Sequence, residues 1–282
     1  MIVDSLMNLE LLFHAADLAR RPAWRRLAIR HALTVAASHV RPDGSTWHVV
    51  RFSEETGDVV WKGTRQGLAD DSTWARGQSW AVHGFTTAYR ESGDRRLLAA
   101  ARRTADWAID HLPADGVPVW DYADPGGVRD TTAGAVLASG LLELARVDPS
   151  APRRAAYRRS GLHTLRSLTG PGYLARGTGS PAVLLHGRHD ARYSDSGVTY
   201  GDHYLLEALE RVQLLPSRAP ALATRRAERA GAVWQARLRR TAGVSAVSVR
   251  WRDGARRAYR FAVQTSVDGV RWRTARGAVS SG

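Results

Sequence analysis

A chain of 282 residues with 44% hydrophobic and 24% charged content has room for one large core, or for one core and a small second module. It has no cysteine, which excludes disulfides and thiolate metal sites, and no apolar run reaches the roughly 18–20 residues of a membrane span. The net charge of +14 raises nucleic-acid binding, but Lys62 is the sole lysine among 41 basic residues, the arginines are spread evenly, and no RNP, zinc-finger or P-loop pattern accompanies them; no nucleic-acid partner is expected.

Helical periodicity dominates the first 215 residues. Residues 3–20 are apolar on nearly every face, which predicts a helix buried all round. Residues 23–40 carry Leu27, Ala28, His31, Ala32 and Val35 on one stripe and Arg25, Arg26 and Arg30 on the other, as an outer helix would. The pair recurs as 76–91 with 95–112 and as 131–146 with 152–168, and a further apolar helix is predicted over 202–215. Buried and amphipathic helices thus alternate in units of roughly 55–70 residues, the signature of a helical repeat.

Longer connections interrupt the helices. After the turn at Pro42-Asp43-Gly44, residues 46–52 and 59–62 predict a hairpin, and 113–130 form a second long loop containing Trp120-Asp121-Tyr122. In a scaffold of stacked helices such loops tend to carry function. From Pro216 the composition shifts to Pro, Ala and Arg, as in a linker. Beyond it, 247–251 and 259–264 alternate as strands, and Val267-Asp268-Gly269-Val270 predicts a turn leading to Trp272.

Three groups could carry chemistry. Asp4 opens the first apolar helix, with Asn8 one turn on. A carboxyl facing a protein interior is desolvated, which raises its pKa and suits it to donate a proton near neutral pH. Asp is also among the best N-cap residues, and the sequence leaves both roles open. Trp74, Arg76 and Trp80 cluster at a loop-to-helix junction, where indoles could stack on sugar rings and a guanidinium could grip a carboxylate, or all three could be core and cap. His48 and Gln66 stand in loops and by themselves are ordinary loop residues. No HExxH or paired metal spacing occurs among the ten histidines, so neither a catalytic metal nor a cofactor is expected.

These pieces occur in a recognisable order: Ile2-Val3-Asp4-Ser5-Leu6-Met7-Asn8-Leu9, then Arg41-Pro42-Asp43-Gly44-Ser45-Thr46-Trp47-His48 and Gln66-Gly67, then Trp74-Ala75-Arg76-Gly77-Gln78-Ser79-Trp80, Asp115-Gly116-Val117-Pro118-Val119-Trp120-Asp121-Tyr122 and Tyr200-Gly201-Asp202-His203-Tyr204. The series resembles glycoside hydrolase family 88, the unsaturated glucuronyl hydrolases, over residues 1 to about 213. The resemblance implies a mainly α chain built on an (α/α)6 barrel, or α/α toroid. The family's first helices, and a second active-site aspartate on them, have no counterpart before Ile2, so an incomplete barrel, truncated at its N-terminus, is expected; its inner helices would then expose apolar patches and favour self-association.

The resemblance also implies the reaction. The substrate would be an oligosaccharide ending in a 4,5-unsaturated uronic acid, as polysaccharide lyases leave. The residue matching Asp4 would be the general acid, and those matching His48, Gln66, Trp74, Arg76 and Trp80 would line the subsite, the indoles stacking on the flattened ring while Arg76 and Gln66 hold polar groups that include the carboxylate. Competing expectations are a carbohydrate-binding remnant without turnover and a related unsaturated rhamnogalacturonyl hydrolase, although Arg76-Gly77-Gln78 stands where Arg-Gly-Asn would mark the latter.

The tail, 244–251 and 259–272, resembles the middle of a discoidin-type (factor 5/8 type C) β-sandwich. The expected layout is a partial barrel over 1–215, a linker over 216–232 and a partial discoidin-type segment over 233–282. Family tendency points to the cytoplasm and the discoidin-type appendage to export, so the compartment stays open.

Overall fold

The computed structural model describes residues 1–189, 195–214, 224–230, 233–238, 260–268 and 270–279, which divide between two units, Met1–Pro216 and Ser217–Gly282. In the first, a 3₁₀ turn, Val3–Asn8, runs into α1 (Leu9–Leu18). Then come α2 (Pro22–His39), the antiparallel hairpin of β1 (Val49–Phe52) and β2 (Val59–Gly63), α3 (Ala75–Ser92), α4 (Arg95–Asp110), α5 (Thr131–Val147), α6 (Ala151–Leu168) and α7 (Thr199–Leu214). Local chemistry sets the helix ends. Asp94 caps α4 through the N–H of Arg96, and Asp130 caps α5 through those of Thr132 and Ala133. Gly93 ends α3 in the left-handed region at φ 70°, and prolines occupy the first turns of α2 and α6.

The helices pair as α1 with α2, α3 with α4 and α5 with α6, while α1, α3, α5 and α7 pack successively on one another. This is an arc of an α/α toroid: one row of inner helices backed by an outer row. Phe13, Phe85, Leu137, Leu141, Leu142 and Leu165 lie in the shared core. Two glycines permit its closest approaches. A Cβ on Gly84 of α3 would stand 2.4 Å from Leu6 Cβ, and one on Gly140 of α5 would stand 2.9 Å from the His83 backbone.

The outer helices follow their pattern: α4 buries Leu97, Leu98, Ala101 and Ala105 and exposes Arg95 and Arg103. The first inner helix departs from it. Helix α1 buries Leu9, Phe13 and Ala16, while Leu11 and Leu18 are 73% and 74% exposed, so the expectation of burial all round fails. A helix hides every face only where neighbours surround it, and among the described residues the main neighbours of α1 are α2, α3 and the 3₁₀ turn. No described helix is long and apolar enough to cross a membrane.

The second unit contains β3 (Thr224–Ala230) paired antiparallel with β4 (Val233–Leu238), and β5 (Arg260–Thr265) paired antiparallel with β6 (Arg273–Val279). The expected strand over 259–264 corresponds to β5, whereas that over 247–251 lies outside the described residues. The stretch 216–232, expected as linker, contains β3; composition does not reveal an antiparallel partner that begins three residues after the strand ends. Between β5 and β6, Asp268 Oδ1 accepts from the N–H groups of Val270 and Arg271, both at 2.8 Å.

Candidate active site

Strand-like pairing at the start of the chain builds the site. Ile2 bridges Val49, the Val3 N–H donates to the His48 carbonyl at 3.0 Å, and the Val50 N–H donates to the Met1 carbonyl at 2.9 Å. This pairing sets Asp4, on the 3₁₀ turn, beside His48, with Nε2 3.5 Å from Asp4 Oδ2. Asp4 is not a cap: Ile2 holds that position and no side-chain cap bond forms. Its Oδ2 is buried with no hydrogen-bond partner, yet the side chain as a whole is 19% exposed, so Oδ1 is the oxygen on the open side. Burial pushes the Asp4 pKa up to about 6, against the opposing pull of its own backbone N–H and the Arg76 charge.

His48 is held from both sides. Its Nδ1 lies 3.1 Å from Thr64 Oγ1 and accepts from the Arg65 N–H at 3.3 Å, and its ring meets that of Trp74 at 4.4 Å. Burial, reinforced by Arg76, lowers its pKa to about 4, so the imidazole is neutral at neutral pH.

Trp74 is placed by the second long loop. It bridges Asp121, Ala75 N–H donates to the Trp120 carbonyl at 3.1 Å, and Tyr122 N–H donates to the Thr73 carbonyl at 3.0 Å. The indole is buried, carries the Arg76 guanidinium 4.4 Å from its ring centre, and leaves its Nε1 without a partner. Arg76 sits in the first turn of α3, where Nη1 donates to Asp130 Oδ2 at 2.9 Å and also to the Arg188 carbonyl. Its Nη2 donates to the His189 carbonyl at 3.1 Å, and Gln66 Nε2 reaches that same carbonyl at 2.9 Å. Arg76 and Gln66 therefore converge on one protein carbonyl. One turn along α3, Trp80 lies against Tyr204, with ring centres 5.0 Å apart, and near Tyr200, whose ring also faces Arg76 at 5.6 Å.

Asp4, His48, Gln66, Trp74, Arg76 and Trp80 thus form one connected cluster. Sequence reasoning missed Asp130, Thr64 and Tyr200. Asp130 precedes Thr131-Thr132 and an apolar run, an N-cap pattern that was visible; its pairing with Arg76 across 54 positions was not. Next to Trp80, His83 Nε2 donates to Glu207 at 3.1 Å, and Glu207 also meets Ser139 and Arg211, joining α3, α5 and α7. Burial would raise the Glu207 pKa, but its bond with His83 and the charge of Arg211 hold it at about 2. A groove of about 630 Å³ between α2 and the hairpin, with Arg30, Leu33, Phe52 and Lys62 in its walls, contains none of the clustered residues.

No protein-family model matches the chain. Similar proteins exist, however. An unsaturated glucuronyl hydrolase of Formosa agariphila is 37% identical over 223 residues, 76% of this chain and 55% of that protein. A solved structure, an unsaturated glucuronyl hydrolase specific for heparin, superposes with a TM-score of 0.72 at 34% identity, covering 76% of this chain and 60% of that one. A mutant unsaturated glucuronyl hydrolase from Streptococcus agalactiae, complexed with dGlcA-GalNAc6S, matches at 33% identity with a TM-score of 0.67, covering 75% and 58%. The chain therefore spans between 55% and 60% of the length of these relatives, and its helical unit shares their fold.

Proposed function

We propose that the helical unit carries the general acid of an unsaturated uronyl hydrolase, acting on oligosaccharides whose non-reducing end is a 4,5-unsaturated uronic acid. The observation that carries this reading is the Asp4 carboxyl, buried on one edge, open on the other, and pushed to about 6 by its surroundings. The names and bound ligand of the similar proteins support the substrate class.

The C4–C5 double bond of such a sugar is an enol ether. Asp4 donates its proton to C4, forming the C4–H bond and leaving positive charge at C5 shared with the ring oxygen. Water adds at C5 and loses a proton to the Asp4 carboxylate, which restores the acid. The resulting hemiketal opens and expels the rest of the oligosaccharide from C1. Because the step is a hydration, it does not require the carboxylate pair of ordinary glycosidases. Tyr200, half-buried beside Trp80, offers an apolar face to the flattened ring. The substrate carboxylate takes the place of the His189 carbonyl between Arg76 and Gln66, where two donors already point at one oxygen.

The test is the ultraviolet absorbance of the conjugated enol acid. It is expected to decay with the wild-type chain and to persist with Asp4→Asn; persistence with both, while uronides still bind saturably, would instead make the chain a carbohydrate-binding protein. For the second unit, a sugar-binding role rests on the discoidin-type resemblance of its sequence.

A further inference from the structure

The hydrogen bonds around His48 decide where its proton sits. A backbone N–H can only donate, and the N–H of Arg65 points at Nδ1 from 3.3 Å. Nδ1 must therefore present a lone pair, so the imidazole carries its one proton on Nε2. Thr64 Oγ1, 3.1 Å from the same Nδ1, supplies a second donor, and its own lone pair is engaged by the Gly67 N–H at 2.8 Å, which orients the hydroxyl. With Nδ1 filled from behind, Nε2–H faces Asp4 Oδ2, the one buried carboxyl oxygen that has no other partner. The 3.5 Å separation is too long for a hydrogen bond, but the positive N–H end still faces Oδ2, which makes that oxygen the poorer place for the acid's own proton. The proton belongs on Oδ1, the oxygen on the open side.

We propose that Thr64 is a positioning residue: together with the Arg65 N–H it locks His48 in the Nε2–H form, and His48 in turn keeps the transferable proton of Asp4 on Oδ1, facing the substrate. The assignment rests on the uronyl hydrolase reading for its consequence in catalysis, but not for the tautomer itself. The charged or titratable groups that face His48 are Asp4 from the 3₁₀ turn, Arg76 from α3, His39 from α2 and Arg65 from the segment after β2. Of these Arg76, His39 and Arg65 disfavour an imidazolium, in keeping with a neutral donor.

Long-range ¹H–¹⁵N spectra of histidine-labelled protein report the tautomer directly and need no substrate. The wild type is expected to show His48 with a protonated Nε2 and a bare Nδ1, neutral at pH 6. In Thr64→Val, which keeps the shape and removes the hydroxyl, the Nδ1–H form should appear beside it. The rate constant kcat should fall about five- to tenfold, the worth of one net hydrogen bond, with KM unchanged, and Thr64→Ser should restore both readouts. An Nδ1–H imidazole or an imidazolium in the wild type at pH 6 would overturn the proposal, as would a Thr64→Val protein with unaltered tautomer and kcat. If the wild type leaves the enol absorbance untouched, the activity reading falls, while the spectra still decide the state of His48.

Discussion

Every residue of α5 from Thr131 to Ala145 is buried, whereas α1, equally apolar along its sequence, hides Leu9, Phe13 and Ala16 and leaves Leu11 and Leu18 in the open. Helix α5 lies among α3, α6 and α7; α1 stands at the end of the inner row. The difference separates two jobs. The middle of the arc carries packing, and its end carries chemistry, since the 3₁₀ turn that leads into α1 holds a carboxyl which costs the fold something to bury. An apolar pattern states what a helix is able to bury, and the number of neighbours states how much it does bury.

Substitutions at the two ends of this contrast should behave differently. The largest effect expected is on activity: Asp4→Asn removes the proton donor and should lower kcat by about 10²–10⁴-fold, the span of general acid catalysis. Enol absorbance measures it, and a loss smaller than this range would show that another group donates the proton. Next, Asp130→Ala leaves the Arg76 charge buried and unpaired, a change that costs about 3–5 kcal/mol in comparable pairs and should be visible in urea denaturation. Leu141→Ala in α5 should cost about 2–5 kcal/mol, because a fully buried side chain loses its transfer energy and leaves a cavity.

The same Asp4→Asn exchange should have the opposite sign on stability. The folded pKa of about 6 lies above the unfolded 3.8, so the folded state binds the proton more tightly. Wild-type stability is then greatest below pH 3.8 in this contribution, and it falls as pH rises through about 6. The total is about 3 kcal/mol at most, which the Asn variant should recover near neutral pH, where denaturation midpoints of the two proteins can be compared. The smallest effect is expected from Leu11→Ala, within about 0.5 kcal/mol for an exposed site. A loss matching that of Leu141→Ala would mean that the open face of α1 is covered in solution.

Much of the helical unit is legible in the sequence. The expected helix over 131–146 corresponds to Thr131–Val147 and that over 152–168 to Ala151–Leu168, because apolar periodicity is a local signal. The first helix was legible as apolar but not as a 3₁₀ turn followed by an α-helix, and its open face was invisible. In the second unit the strand at β5 announced itself by alternation, while β3, rich in Ala and Arg, did not. The six clustered residues were found through motif order rather than geometry. Nothing in residue spacing reveals that Ile2 pairs with Val49, or that Asp130 completes Arg76.

By itself the sequence determined which segments are helices, which of them are amphipathic, and which acid, indole and guanidinium groups are available, since these depend on neighbours within a few turns. Tertiary structure alone decided that Asp4 has one buried and one open oxygen, that the arginine expected to grip a ligand is already paired, and that His48 points a particular nitrogen at the acid. The reason is physical: pKa and tautomer follow from desolvation and from donors that arrive across tens of residues, and only packing brings those donors within hydrogen-bond range.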